Sequence, residues 1–432
     1  TVLVIDEAQD MSADEYSLVQ ALMAQNEEMR VIAVGDDDQN IFEFRGSDSR
    51  YLYRLSRLEG SRFVEMTENY RSGAAVVEYA NFFSRKIRRR LKKTPIVSMN
   101  KEAGMVSVTR FSTPCMYEPI ARDLTSRSHK GSVGLLTQTN EEATILLALL
   151  RRKGVNAKLI QSADGFRFSA LAEVRYFLKQ LDIMVTTPVI PDEAWHTAKE
   201  KTFSKYKRSA SLPLLQRCIA QFEKTVRSKY HTDFKEFVYE SSVEDFCDVE
   251  GADVTISTVH KSKGREYDEV YMLVAGGFTL NDEQLRRHYV GVTRAKKNLY
   301  IYTGCDAFDG GPSSVRYSFD SADYPMPEEV VLQLTHKDVV LSWFKSRKMA
   351  VLSLCSGDAL DYRDGHLFIP DGQRAIARLS ARGQTALAEW ESKGYHVCAA
   401  SVRFIVAWRP KDDAEDKQEV AVLLPELRLN KG

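Results

Sequence analysis

Residues 254–274 read VTISTVHKSKGREYDEVYMLV. Val254, Ile256 and Val259 mark a buried strand, and residues 269–274 mark a second one. Between them lies a polar loop at 260–265 that brings a His, two Lys, a Gly and an Arg to one point. A strand ending in hydroxyls and cations offers donors suited to a phosphodiester backbone or a nucleotide phosphate. A polar loop after a strand also occurs with no ligand, so its company decides the reading. That company is VLVIDEAQD at 2–10, VGDDDQ at 34–39, ENYRS at 68–72 and YVGVTRAKK at 289–297.

Val2–Ile5 is an apolar run of the kind found in a central parallel strand covered on both faces. It delivers Asp6 and Glu7 to the carboxyl end of the strand, where open α/β sheets hold their ligands. One such carboxylate can help hold Mg²⁺ and the next can accept a proton from a water; the pair also reads as solvated acids. A helix over about 12–25 leads to a second buried strand at 31–34, and Gly35 turns the chain into Asp36–Gln39. Phe42 and Phe44 read as base-stacking or as core residues. A helix after ENYRS is expected to run through the basic stretch RKIRRRLKK at 85–93, either a solvated face or a phosphate contact. Alternating β and α patterns over 105–180 predict a second sheet domain.

Composition narrows the classes. The chain has 432 residues, 44% of them hydrophobic, enough for two to four domains. No apolar run is long enough to cross a bilayer, so no membrane partner is expected. Six cysteines without CxxC pairs set the expectation of a reduced, cytoplasmic chain with no zinc site. Sixty Lys plus Arg balance sixty Asp plus Glu, so a nucleic-acid partner would have to be held by local clusters.

In this order, the five blocks resemble the motif set of the UvrD/Rep/PcrA-type superfamily 1 DNA helicases, over about residues 1–305. The resemblance implies an α/β fold of RecA-like motor domains, the first partial and the second complete, and an ATP-dependent motor on single-stranded and duplex DNA. The cofactors implied are ATP and Mg²⁺. DEAQD matches the Walker B form, which makes Asp6 the magnesium residue and Glu7 the general base. Gln39 would sense the γ-phosphate, Arg71 and Arg294 would reach it as arginine fingers, and Tyr70 would pack on the adenine. Gly264 would permit close backbone approach, and Glu266 would lie near the nucleotide sugar. Phe44, Arg45, Thr258 and His260 would face DNA; Phe44 stands where the family usually carries Trp.

The domains expected are the end of the first motor domain at 1–60 and the second at 61–181 and 251–310. A helical insertion is expected at 182–250, much shorter than the accessory subdomain of well-known relatives. Residues 330–432 predict a small α+β or SH3-like barrel module, with strands at 350–355, 366–370, 402–408 and 419–424. That module could grip duplex, bind a partner protein or cap the motor.

No Gly-Lys pair occurs in the chain, so GxxxxGK[ST] is absent. The chain opens at Thr1 inside an apparent core strand. The expectation is a fragment whose phosphate loop lies upstream in the same polypeptide, inactive by itself. The competing reading is a non-catalytic nucleic-acid-binding or interaction scaffold derived from a helicase.

Overall fold

The computed structural model describes residues 1–26, 28–43, 46–160, 166–184, 187–247, 251–276, 281–370, 372–409 and 419–432. The chain divides into two compact units, one of residues 1–146, 150–157 and 252–326, the other of residues 147–149, 158–251 and 327–432.

The first unit is built on a parallel sheet. In spatial order its strands are Arg316–Asp320, Met105–Phe111, Ala295–Thr303, Tyr267–Val274, Val133–Thr137 and Val254–Thr258. Val133–Thr137 and Val254–Thr258 are buried at every position, which is why they read as unbroken apolar or small runs rather than alternating ones. Leu135 faces Ile256 on one side and Tyr271 on the other. On one face, Val270, Met272, Val274, Leu299 and Ile301 pack against the helices Ala74–Ser84 and Asp282–Val292. On the opposite face the alternate residues Tyr271, Tyr300 and Tyr302 stack, and Tyr302 donates to Asp123 of the helix Tyr117–Ser126. Helices on both faces of a parallel sheet define an α/β layer architecture.

A smaller parallel pair, Val2–Ile5 with Arg30–Ala33, belongs to the same unit. Leu3, Ile5 and Ala33 pack on Ala8, Met11, Tyr16, Val19 and Leu55. The helix Ala13–Gln25 starts at a capping box in which Ser12 and Glu15 satisfy each other's backbone N–H groups. Coverage on both faces was expected here. The described residues cover one face only, leaving Val2 57%, Val4 62% and Ile32 51% exposed, because the helices Ala13–Gln25 and Arg50–Ser56 lie on the same side.

The basic stretch also differs from expectation. The helix ends at Ser84, and residues 85–93 form turns and bends. Lys86 and Ile87 donate to Phe83 and Ser84, tightening the chain. The next two N–H groups, of Arg88 and Arg89, go to the carboxylate of Asp282 at 3.2 and 3.1 Å. A distant acid therefore takes the donors that a longer helix would have used.

The second unit includes a group of helices, Ala172–Met184, Asp192–Lys205, Leu212–Thr225 and His231–Glu240. Phe177, Trp195, Phe222 and Phe234 interlock at their centre, with Phe234 5.0 Å from both Trp195 and Phe222. The same unit holds a six-stranded antiparallel sheet in the order Glu329–Gln333, Val420–Lys431, Tyr395–Trp408, Ala359–Arg363, His366–Phe368 and Ala375–Arg378. Among the described residues no pairing joins the first of these strands to the last. The strand expected at 350–355 is instead a short helix, Lys348–Leu352. No helix among the described residues is long and apolar enough to cross a membrane.

Candidate active site

The end of the first strand is a strained turn. Glu7 has φ 50° and ψ 38°, a left-handed conformation that costs a non-glycine residue on the order of 1 kcal/mol or more. Its N–H is held by Asp6 Oδ1 at 2.9 Å, and Asp6 itself is exposed. Gln9, fully buried, staples the two strand ends together. Its Nε2 donates to Glu7 Oε2 at 2.6 Å and its Oε1 accepts the Asp36 N–H at 2.9 Å. Gly35 is needed for this: a Cβ there would sit 2.4 Å from Gln9 Oε1.

The loop 260–265 meets this turn. Lys263 Nζ lies 3.2 Å from Glu7 Oε2 and forms a short ion pair with Asp10. Burial alone would raise the Glu7 carboxyl. The Gln9 hydrogen bond and the Lys263 charge outweigh it and hold Glu7 below the ordinary glutamate range. At Asp10 burial prevails over the same lysine, so its carboxyl lies above the ordinary range. Asp10 Oδ1 is buried without a hydrogen-bond partner among the described residues, which fits that outcome.

Arg294 follows the helix Asp282–Val292 and is 2% exposed. Its Nε donates to Val290 O at 3.0 Å, and its Nη2 to Gln39 Oε1 at 2.8 Å. Gln39 in turn donates to Asp36 Oδ2 at 2.8 Å. Burial, then the neighbouring Arg71 guanidinium, lower Arg294 to about 10. Arg71 forms an ion pair with Glu266, and Lys296 approaches the same carboxylate at 3.4 Å. Asn69 Oδ1 accepts the N–H groups of Arg71 and Ser72, and Ser72 Oγ donates to Ala295 O at 2.7 Å. These bonds tie ENYRS directly to TRA.

Glu7, Gln39, Arg71, Glu266 and Arg294 are thus gathered at one place. Two guanidinium groups, a neutral amide and carboxylates there can bind a polyanion and hold or accept protons at its edge. Tyr70 stands beside them, 70% exposed, with its hydroxyl on Glu68. Gly264 has φ 79°, so its turn demands glycine, and a Cβ at that position would meet open space.

The residues expected at DNA are less uniform. Thr258, 6% exposed, closes the strand Val254–Thr258. The His260 ring lies 6.5 Å from Phe42, and Lys263 Nζ sits 5.2 Å over the same Phe42 ring. Phe44 and Arg45 lie outside the described residues.

Sequence reasoning overlooked Gln9, Asp10 and Lys263 as site residues, although all three stand within the quoted blocks. It also left Arg90 and Lys92 unassigned. Arg90 grips the fully buried Asp38 with bonds of 2.6 to 3.0 Å, and Lys92 meets Asp36 at 2.8 Å. The carboxylates of Asp36, Asp37 and Asp38 lie close enough to hold a cation, but these two side chains already supply the positive charge.

Comparison with known proteins gives a consistent answer. The family model described as the UvrD/REP helicase N-terminal domain matches residues 1–58, and that of the UvrD-like helicase C-terminal domain matches residues 192–304. The Bacillus subtilis protein YjcD is 26% identical over 425 residues, covering 78% of this chain and 55% of YjcD. ATP-dependent DNA helicase Rep of Escherichia coli is 21% identical over 458 residues, covering 80% of this chain and 65% of Rep. ATP-dependent DNA helicase UvrD2 of Mycobacterium tuberculosis is 24% identical over 358 residues, covering 72% of this chain and 48% of UvrD2. The chain spans about half the length of the curated relatives it matches. A solved C-terminal domain of a possible DNA helicase from Lactobacillus covers 58% of this chain and 98% of its own, at 10% identity and a TM-score of 0.29, too low to establish a shared fold. Both family models match in order and the relatives include Rep and UvrD2, which supports a helicase of the UvrD/Rep type.

Proposed function

We propose that the chain forms part of an ATP-dependent DNA helicase or translocase, which couples ATP hydrolysis to movement on single-stranded DNA and to duplex unwinding. Residues 1–60 are read as the end of one RecA-like motor domain and the parallel sheet as the other. The single observation that carries this is the buried Arg294 guanidinium, hydrogen-bonded to Gln39 and with Arg71 beside it. A buried guanidinium with a second, more exposed one beside it suits a ligand dense in negative charge.

The residues fit magnesium–triphosphate. Asp6 would hold the metal, which supplies counter-charge to the phosphates. Glu7, ionised and poised by Gln9, would take the proton of a water. The Gln39 amide, able both to donate and to accept, would orient that water. Arg71 and Arg294 would neutralise developing charge. Tyr70, Gly264 and Glu266 would line the nucleoside side, with Phe44, Arg45 and His260 toward DNA. Thr258, at the end of its strand, would face the same strand of DNA.

The chain carries no GxxxxGK[ST] segment, so the activity is assigned to a polypeptide that also contains a phosphate loop. The test is DNA-stimulated ATPase in such a polypeptide. Glu7→Gln and Arg294→Ala are each expected to lower turnover at least about 100-fold. Turnover at the parent rate in both variants would refute the assigned roles, and DNA binding with no ATPase in the parent would favour a non-catalytic scaffold.

A further inference from the structure

Once folded, the basic stretch 85–93 divides into two sets. Arg90 and Lys92 turn inward to Asp38 and Asp36. Lys86, Arg88 and Arg89 instead line a cavity of about 650 Å³, together with Asn281, Asp282, Leu285 and Ala307. Arg88 and Arg89 are exposed, and neither side chain forms an ion pair among the described residues. Lys86 Nζ rests 4.6 Å over the Phe82 ring, a contact that leaves its charge unpaired.

Asp282 is the one acid in the wall. Both of its carboxylate oxygens are taken by the N–H groups of Arg88 and Arg89, so it serves to fix the backbone of the turn. The helix that begins here does not offer its own end as a site, since Asn281 already caps it by accepting the Gln284 N–H at 2.8 Å. What remains is three cationic side chains around an apolar floor, with Leu285 5% exposed. Nothing in the roles assigned to Glu7, Gln39, Arg71 and Arg294 uses these residues.

We propose that this cavity is a phosphate-binding groove for a nucleic-acid strand, separate from the nucleotide site. The chemistry recognised is the phosphate oxyanion. Three long, separately mounted cations on an open turn suit phosphates repeated along a strand, because each can neutralise one charge independently. The apolar floor gives sugars and bases a surface to lie on. A compact polyphosphate would call for a closed cradle of backbone N–H groups, and here the two available ones are already bonded to Asp282. The proposal rests on the reading that the chain holds nucleic acid.

The experiment is fluorescence polarisation of a labelled single-stranded oligonucleotide with the full chain across a salt series, comparing parent, Arg88→Ala/Arg89→Ala and Arg88→Lys/Arg89→Lys. Both positions are exposed, and thermal unfolding checks that the variants fold. The alanine pair should bind more weakly, with a log–log salt slope shallower by about 1.4 for two lost single-strand phosphate contacts, and the lysine pair should stay near the parent. Parent-like slopes in the alanine pair overturn the groove while leaving nucleic-acid binding intact. Failure of the parent to bind any oligonucleotide overturns both. Inorganic pyrophosphate provides the other arm: if its binding depends on Arg88 and Arg89 while oligonucleotide binding does not, the cavity serves a free phosphate and the strand assignment falls.

Discussion

Asp37→Asn should remove a pH dependence of stability whose size follows from the surroundings of Asp37. The Asp37 side chain is buried, and burial, then the Asp38 carboxylate beside it, push its pKa from 3.8 to about 6. Asp36 adds to the push, while the Leu91 N–H at 2.6 Å and the Lys92 charge oppose it. For a carboxyl raised in the folded state, the contribution to stability is fully present below its unfolded pKa. It is lost as pH rises through the folded value. The window therefore runs from about pH 4 to about pH 6. A shift of roughly two units corresponds to about 3 kcal/mol. Asparagine keeps an oxygen for the Leu91 N–H but does not titrate. Urea unfolding at pH 4, 5, 6 and 7 should show the parent losing about 3 kcal/mol relative to Asp37→Asn as pH rises across the window. Parallel pH profiles for the two proteins would refute the reasoning, because they would mean that Asp37 is not destabilised by its burial among acids.

Other perturbations probe the neighbouring bonds. Arg90→Met strips the bidentate partner from the fully buried Asp38 and should lower stability by about 3 kcal/mol; an unchanged urea midpoint would contradict the pairing. Lys263→Met with Asp10→Asn forms a double-mutant cycle across the short ion pair, and a coupling of about 1 kcal/mol or more is expected, additivity within error being the adverse result. Ser12→Ala removes the capping hydroxyl that accepts the Glu15 N–H and should cost about 1 kcal/mol, read from the same unfolding curves.

Local pattern carried the fold where the neighbours are simple. The stretches VGLLT at 133–137 and VTIST at 254–258, free of charged residues, identify buried parallel strands because every side chain meets protein on both faces. At Val2–Ile5 the same pattern occurs, and the described residues cover one face. Local pattern misled at 85–93, where the helix end is decided by Asp282, nearly two hundred residues further along the chain. In the site, the strand-end acids and the arginines of ENYRS and TRA could be read from type and order. The Lys263 link to Glu7 and Asp10 could not, because it joins residues more than 250 positions apart and depends on how two loops meet.

The central claim is that Arg71 and Arg294 act together on one phosphate ligand. Its most direct test is trapping of ADP by aluminium fluoride, which mimics a phosphoryl group in transfer, in a phosphate-loop-containing polypeptide. The parent should retain ADP in the presence of aluminium fluoride, while Arg71→Ala and Arg294→Ala should still bind ADP but fail to trap it. Trapping at parent levels in both variants would contradict the account.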